Sequence, residues 1–493
     1  MLRNQNSTIS FDPADVDLPK GHWIDGAYVD DREHIELRYP SNGATYAACP
    51  IADPGMVDRA VQSAKHALKT SQWATCRPRE RAQLLQRWAD LMEEESERLG
   101  QLEALASTRP ISQAISVDVA VTAEQIRFFA EFADKEGGDV VPTDGNHLGM
   151  ILTEPYGIVG AITPWNVPLS MAGWKLGPAL AAGNAVVLKP SEMTPFSTLY
   201  LAELATRAGI PSGIVNIVLG DGPTTGASLV GHSDIAKISF TGSTVAGGAI
   251  LKRIADTGIK PMTLELGGKS PQVVFRSADI ERTATAIARG IQVNAGQTCV
   301  AGSRIIVQES VAPEILERVT TKLSDYRIGA TWVDDTNYSP IISETQLQRI
   351  DGIVKAAIAK GASCAIGGKQ LDHPGYFYEP TILTNLDSSS PALSNEIFGP
   401  VVTIQTFVDE EEAYELANHP TFGLAAGVYS SDLKECLRAT KRIEAGTVWV
   451  NRYGRSRDHI LPTGGFKASG IGKDLGREAY KSSRRQKSVL IEH

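Results

Sequence analysis

From Gly157 onward short apolar runs alternate with stretches of helical periodicity, and the alternation repeats. The runs GIVGAIT, NAVVLKP, GIVNIVLG, AKISFTG and MTLELGG are predicted strands. Between them lie predicted helices in LSMAGWKLGPALAAG, FSTLYLAELATRAG and PTTGASLVG, and one from Ser243 to about Ala255. Gly183, Gly209 and Gly231 fall where helices should stop, and Asn184 follows the first. A repeating β-α unit requires parallel strands, because each helix must carry the chain back across the sheet. Such a sheet binds nucleotides at the C-terminal ends of its strands.

After Glu265 a second series begins with PQVVF, a helix over Ile280 to Val293, SRIIVQE and a helix over Ala312 to Leu323. It continues through VVTIQTF, EEAYELANH, GLAAGVYS, LKECLRATKRI and AGTVWVN, which predicts a second α/β lobe. The segment from Leu84 to Phe132 reads as mostly helical. Between it and the first sheet, GGDVVPTDGNHLGMILTEP reads as a hairpin punctuated by Gly and Pro. Its exposed edge needs a cover, expected from another subunit together with the terminal strand KSVLIE.

Length and composition bound the function. A chain of 493 residues with 42% hydrophobic and 21% charged residues fits an enzyme of about three lobes. The net charge of -9 argues against a nucleic-acid partner, since phosphate backbones are bound by clustered Lys and Arg. Neither a secretory leader nor an apolar run of about 18 residues is present, so no membrane partner and a cytoplasmic location are expected. The five cysteines, Cys49, Cys76, Cys299, Cys364 and Cys436, lack CxxC spacing, which supports neither a disulfide framework nor a metal cluster.

Two glycine-rich turns join a strand to a helix. In GDGPTTG, Gly222 and Gly226 could open backbone amides toward a phosphate, and in SFTGSTVAGG the Ser243 hydroxyl stands at a helix start. Ser243 also fits plain N-capping. The stretch NAGQTCVAG sets a thiol, Cys299, among small residues. It is either an inert core filler or a nucleophile held open to a substrate.

Six short stretches, TPWN (Thr163 to Asn166), LKPSE (Leu188 to Glu192), FTGS (Phe240 to Ser243), LELGGKSP (Leu264 to Pro271), GQTC (Gly296 to Cys299) and EIFGP (Glu396 to Pro400), together resemble the NAD(P)-dependent aldehyde dehydrogenase superfamily. The resemblance spans about Trp23 to the C-terminus, with the motifs in the family's order. It implies an α/β fold with a Rossmann-like cofactor lobe, residues 1–136 and 156–265, and a catalytic lobe, residues 266–467. A small β oligomerisation element, residues 137–155 and 468–493, would join a homodimer or homotetramer. The implied reaction is NAD-dependent oxidation of an aldehyde to the carboxylic acid.

The same resemblance assigns roles. Cys299 is the nucleophile that forms a thiohemiacetal, and at an ordinary thiol pKa near 8.5 only about 3% would be thiolate at pH 7, so it needs activation. Asn166 and the Cys299 amide hold the oxyanion. Glu265 is the base for thioester hydrolysis, which argues against acyl transfer to coenzyme A. The chain has SGIGKD where the family has SGxGRE, so Asp474 stands where Glu is usual and would relay protons through Lys175. Cofactor contacts are expected at Thr163, Trp165, Lys189, Ser191 and Glu192, at Gly222 and Gly226, at Thr241, Gly242, Ser243 and Leu266, and at Glu396 and Phe398. A carboxylate at Glu192 accepts ribose hydroxyls and repels a 2′-phosphate, which favours NAD over NADP.

Two other classes compete. A cysteine hydrolase would need a His placed by a matching motif, and none occurs. A silent structural protein would have no use for Cys299, Glu265 and Asn166 together. The substrate is addressed by one local feature, the loop RYGRSRDHILPTGG from Arg452 to Gly465, where many relatives carry aromatic residues. Here Thr463 replaces a Phe, and Arg452, Arg455, Arg457 and His459 lie close by. One arginine is expected to anchor a carboxylate on a semialdehyde or aromatic aldehyde. Alternatively these residues are solvated or contact Asp458 and a neighbouring subunit.

Overall fold

A computed structural model describes residues 9–31, 33–455 and 459–492. Two large sheets and one small one organise the chain. The first runs, edge to edge, through Ala27–Val29, His22–Ile24, Val215–Ile217, Ala185–Lys189, Ile158–Ile162, Lys237–Thr241, Met262–Glu265 and Gly470–Ile471. Its five inner strands, from Val215–Ile217 to Met262–Glu265, are parallel, as the β-α alternation demands. Strands buried on both faces read as continuous apolar runs; accordingly every residue of Ala185–Lys189 and of Ile158–Ile162 is buried. The antiparallel outer strands are two or three residues long, too short to give a period-2 signal in sequence.

Strand order reverses beside Ile158–Ile162, which has Ala185–Lys189 on one side and Lys237–Thr241 on the other. Two helices leaving such a point diverge to opposite faces, and the crevice between them is where a doubly wound sheet takes its ligand. Thr163 and Thr241 stand at this crevice. Gly183 and Gly209 close their helices at φ of +93° and +94°, a conformation open to residues without a Cβ. Gly231 differs: it is the last residue of Ala227–Gly231, and its helix ends without a left-handed residue.

The second sheet has the order Ser363–Ile366, Thr381–Thr384, Val401–Phe407, Arg304–Gln308, Pro271–Val274, Ala425–Tyr429 and Thr447–Val450, parallel except at the first edge. The helix Ala312–Leu323 has the predicted bounds, and Ile280–Gln292 stops one residue earlier than predicted. The third sheet stacks Arg484–Glu492, His147–Pro155 and Asp139–Val141, all antiparallel. One edge of the predicted hairpin is therefore covered by the terminal strand of the same chain. Val140, Leu148, Leu152, Leu490 and Ile491 remain exposed on this small sheet. The segment after residue 468 has two further duties, since Gly470–Ile471 edges the first sheet beside Met262–Glu265 and Asp474 lies buried.

Candidate active site

The thiol sits where a helix is broken on purpose of geometry. Ile280–Gln292 ends, and Asn294 and Ala295 take left-handed backbone at φ of 55° and 49°. Asn tolerates that region because its amide bonds locally; Ala does not, so neighbours must hold it. They do so through a buried amide network. Asn294 Nδ2 donates to the carbonyls of Asn166 (2.9 Å) and Gln297 (3.3 Å), and its Oδ1 accepts from the Thr108 hydroxyl at 2.5 Å. Gln297 donates to the Asn294 and Pro340 carbonyls and accepts from the Ile342 amide. Asn166 Nδ2 donates to the Gln297 carbonyl at 3.0 Å. A primary amide has two N–H groups, so this bond orients Asn166 and leaves the other for a ligand.

Cys299 follows, half-buried. Burial pushes its thiol up, the Arg455 guanidinium opposes that by charge and hydrogen bonding, and the Glu265 and Glu396 carboxylates push it higher. The loop after Glu265 passes so close that a Cβ on Gly268 would stand 2.5 Å from the Cys299 carbonyl oxygen. Only glycine lets the two segments meet this closely.

Glu265 ends the strand Met262–Glu265, where the Gly242 amide donates to its carbonyl at 3.0 Å. Its Oε1 is buried with no hydrogen-bond partner among the described residues. Burial, helped by the Asp474 charge and opposed by Lys175, Arg455 and Lys473, raises its pKa to about 8. Lys175 Nζ meets Asp474 Oδ2 at 2.5 Å, with side chains 0% and 5% exposed. Residues that the sequence places 299 apart thus form one buried ion pair behind the base. Lys237, donating to the Thr263 hydroxyl at 3.0 Å, faces the same cleft, and burial lowers its pKa to about 8.

Around the switch point the polar groups are open or oriented. The Thr163 and Thr241 hydroxyls are buried and have no partner among the described residues. Lys189, pushed down by burial, lies 3.6 Å from the half-buried Glu192 carboxylate. The buried Ser191 hydroxyl accepts from the Met193 amide at 3.3 Å. Ser243 caps the helix Thr244–Thr257 by accepting from Ala246, and Leu266 packs against Gly247 of that helix. In the turn Gly222–Gly226 the Thr224 and Gly226 amides are already bonded to Asp221, which leaves that turn fewer donors for a phosphate than the sequence suggested. Glu396 accepts from the Gly268 amide at 2.9 Å, and burial raises its pKa to about 7. Phe398, at φ 55°, meets half-buried Trp165 edge-on at 5.3 Å.

The sequence profile described as the aldehyde dehydrogenase family matches residues 28–489. The chain belongs to the aldehyde dehydrogenase family. It is 40% identical over 473 residues to an aldehyde dehydrogenase of Aspergillus niger, covering 96% of this chain and 95% of the relative. A solved NAD+ complex of aldehyde dehydrogenase from Bacillus cereus superposes with a TM-score of 0.95 at 38% identity, covering 99% of this chain and 100% of the other. An indole-3-acetaldehyde dehydrogenase from P. syringae, solved with NAD+ and IAA, gives 0.95 at 35% identity over 98% of each chain.

Within this aldehyde dehydrogenase, the basic loop divides. Arg455 turns into the site, its Nη2 donating to Thr463 Oγ1 at 2.6 Å and its guanidinium carbon 4.8 Å from the Trp174 ring centre. Arg452 points back to the Gly454 carbonyl. His459 is buried against Phe128, 3.9 Å from Glu124. Arg457 and Asp458 lie outside the described residues. Sequence reasoning missed Asn294, Gln297, Thr108 and Trp174. Asn294 carried a usable signal, as an Asn just past a helix end is a common left-handed residue.

Proposed function

We propose that this enzyme oxidises an aldehyde to the carboxylic acid with NAD through a covalent intermediate on Cys299. The observation that carries the reading is the convergence of a half-buried thiol, an amide held by Gln297 and a buried carboxylate with a free oxygen. The residues at the switch point fit the cofactor. Two buried hydroxyls there lack partners among the described residues, and a lysine and a carboxylate stand at the end of the neighbouring strand. Lys189 and Glu192 would take the adenosine ribose, Glu396 the nicotinamide ribose, and Phe398 would pack near the ring; Glu192 repels a 2′-phosphate. When bound, NAD accepts the hydride from the aldehyde carbon.

The protein's own groups do the rest. Cys299, having given up its thiol proton as the ionised thiolate, attacks the carbonyl carbon through Sγ, forming a C–S bond while the C=O π pair moves to oxygen and leaves an oxyanion. The free Asn166 N–H and the Cys299 amide donate to it; loss of one such donor costs about 3 kcal/mol. Once the acyl group is a thioester, Glu265 takes a proton from water, the water oxygen bonds to the acyl carbon, and the C–S bond breaks to return the thiolate. Lys175 and Asp474 lie behind Glu265 to carry that proton away.

Residues 1–136 and 156–265 hold the cofactor in this reading, residues 266–467 supply the thiol, and residues 137–155 with 468–493 join subunits into a homodimer or homotetramer. The apolar side chains exposed on the small sheet support the last point. Among the described residues no helix is long and apolar enough to cross a membrane. Five unpaired cysteines, the proposed nucleophile Cys299 among them, suit a reducing cytoplasm. Incubating the protein with NAD and assorted aldehydes tests the reading by absorbance of the reduced cofactor. Cys299→Ala should lose activity at least about a hundredfold and still bind NAD; turnover that survives the substitution rules out the covalent route.

A further inference from the structure

Arg455 is a guanidinium held in the site without a carboxylate partner among the described residues. Its central carbon lies 4.8 Å from the Trp174 ring centre, and Thr463 accepts one of its N–H groups. Both supports are anchored. Trp174 precedes Lys175 on the helix Pro168–Ala181, and Thr463 exchanges backbone hydrogen bonds of 2.7 and 2.9 Å with Asp474, the partner of Lys175. The guanidinium is thus mounted on the same frame as the base.

A guanidinium has five donors in a planar fork. No carboxylate among the described residues pairs with Arg455. Some arginines elsewhere in the chain pair with acids, as Arg109 does with Asp118 and Arg438 with Glu410. Others, such as Arg304 and Arg81, spend their donors on two or more backbone carbonyls, whereas Arg455 donates to a single hydroxyl and keeps donors for a ligand. Glu265 lies near enough to feel the Arg455 charge but forms no ion pair with it, and such a pair would cancel its use as a base. Arg455 is also exposed, so an anion can reach it from solvent. A planar fork set 4.8 Å from an indole ring centre is a receptor for a carboxylate, which it can bind in bidentate fashion.

We infer that Arg455 binds a carboxylate borne by the substrate, making this enzyme selective for aldehydes that carry an acid group: short dicarboxylic semialdehydes and carboxylated aromatic aldehydes. The inference rests on the aldehyde oxidation proposed above. Thr463, which holds Arg455, adjoins Gly464, where a Cβ would stand 2.9 Å from Glu265 Oε1, and the Arg455 charge acts on the Cys299 thiol, so the acid group lies close to the reacting carbon. A long neutral chain would leave the guanidinium facing apolar surface, which disfavours it.

The experiment compares kcat/KM for succinic semialdehyde and pentanal, and for 4-carboxybenzaldehyde and 4-methylbenzaldehyde, in wild type, Arg455→Met and Arg455→Lys. Wild type should prefer the acid in each pair by about tenfold or more. Arg455→Met should abolish the preference through KM of the acidic aldehyde, and Arg455→Lys should keep part of it, as a point charge without the fork. Any loss common to both aldehydes reports on the thiol and cancels in the ratio. A binding readout runs in parallel: Cys299→Ala should bind succinate by calorimetry, and adding Arg455→Met should remove that binding. Equal kcat/KM for acidic and neutral aldehydes in wild type, or a ratio unchanged by Arg455→Met, overturns the inference while leaving aldehyde oxidation intact. Failure of wild type to reduce NAD with any of the four aldehydes overturns both.

Discussion

Glu265 is the residue on which the proposed hydrolysis turns, and its environment fixes how it can work as a base. A carboxylate raised to about 8 by burial and by Asp474 is mostly protonated at neutral pH. It becomes a base as pH rises through that value, so kcat limited by hydrolysis should climb across the same range. Asp474→Asn removes a charge that raises Glu265 and leaves the Lys175 ammonium uncompensated, which lowers Glu265 further. Both effects favour the carboxylate. The rising limb of the kcat profile should therefore move to lower pH, and a limb that stays in place assigns the titration to another group. Glu265→Gln should permit one round of hydride transfer and then stall, with steady-state turnover down about 10²- to 10⁴-fold. Rapid-mixing measurements should show a burst of reduced cofactor; a slow first turnover instead would mean that Glu265 mainly activates Cys299.

The turn from Val293 to Gly296 shows how one element sets the position of a nucleophile. Asn294 bonds to Thr108, Asn166 and Gln297, which belong to three separate parts of the chain. Asn294→Ala strands a buried hydroxyl and a buried carbonyl, and puts two alanines in succession in left-handed backbone. Stability should fall by about 2 kcal/mol or more, and kcat should drop with NAD affinity retained. Calorimetric unfolding and NAD titration check the two halves, and an unchanged melting temperature would show that the network is dispensable. Much at this scale was legible. Ala312–Leu323, the inner strands of the first sheet and, in the second, Pro271–Val274, Arg304–Gln308, Val401–Phe407 and Ala425–Tyr429 followed from apolar spacing, the short strand Thr381–Thr384 did not, and the candidates Cys299, Glu265 and Asn166 came from short motifs. The left-handed turn was not, because Ala295 carries no local signature of it. The pair Arg109 and Asp118 was equally hidden: charges in a helical stretch read as a wet face, while here both are 4% exposed.

Across the whole molecule, the last two dozen residues tie distant parts together. Arg484–Glu492 zips along nine residues of His147–Pro155, and Asn184 holds the Ser483 carbonyl at 2.9 Å. Deleting residues 481–493 should bare the edge of His147–Pro155 and break the homo-oligomer proposed above into smaller species or aggregate. Light scattering that still reports the intact assembly removes this sheet from the subunit contact. The span of these links also has a bearing on biosynthesis. While the C-terminal segment is still inside the ribosome, the strand Met262–Glu265 lacks its outer neighbour, Lys175 has no counter-ion, and Arg455 has no Thr463 to steady it. Contacts this far apart in sequence form late. A nascent chain would thus carry the Cys299 thiol, from the time it is made until the C-terminal segment emerges, without the groups that surround it in the fold.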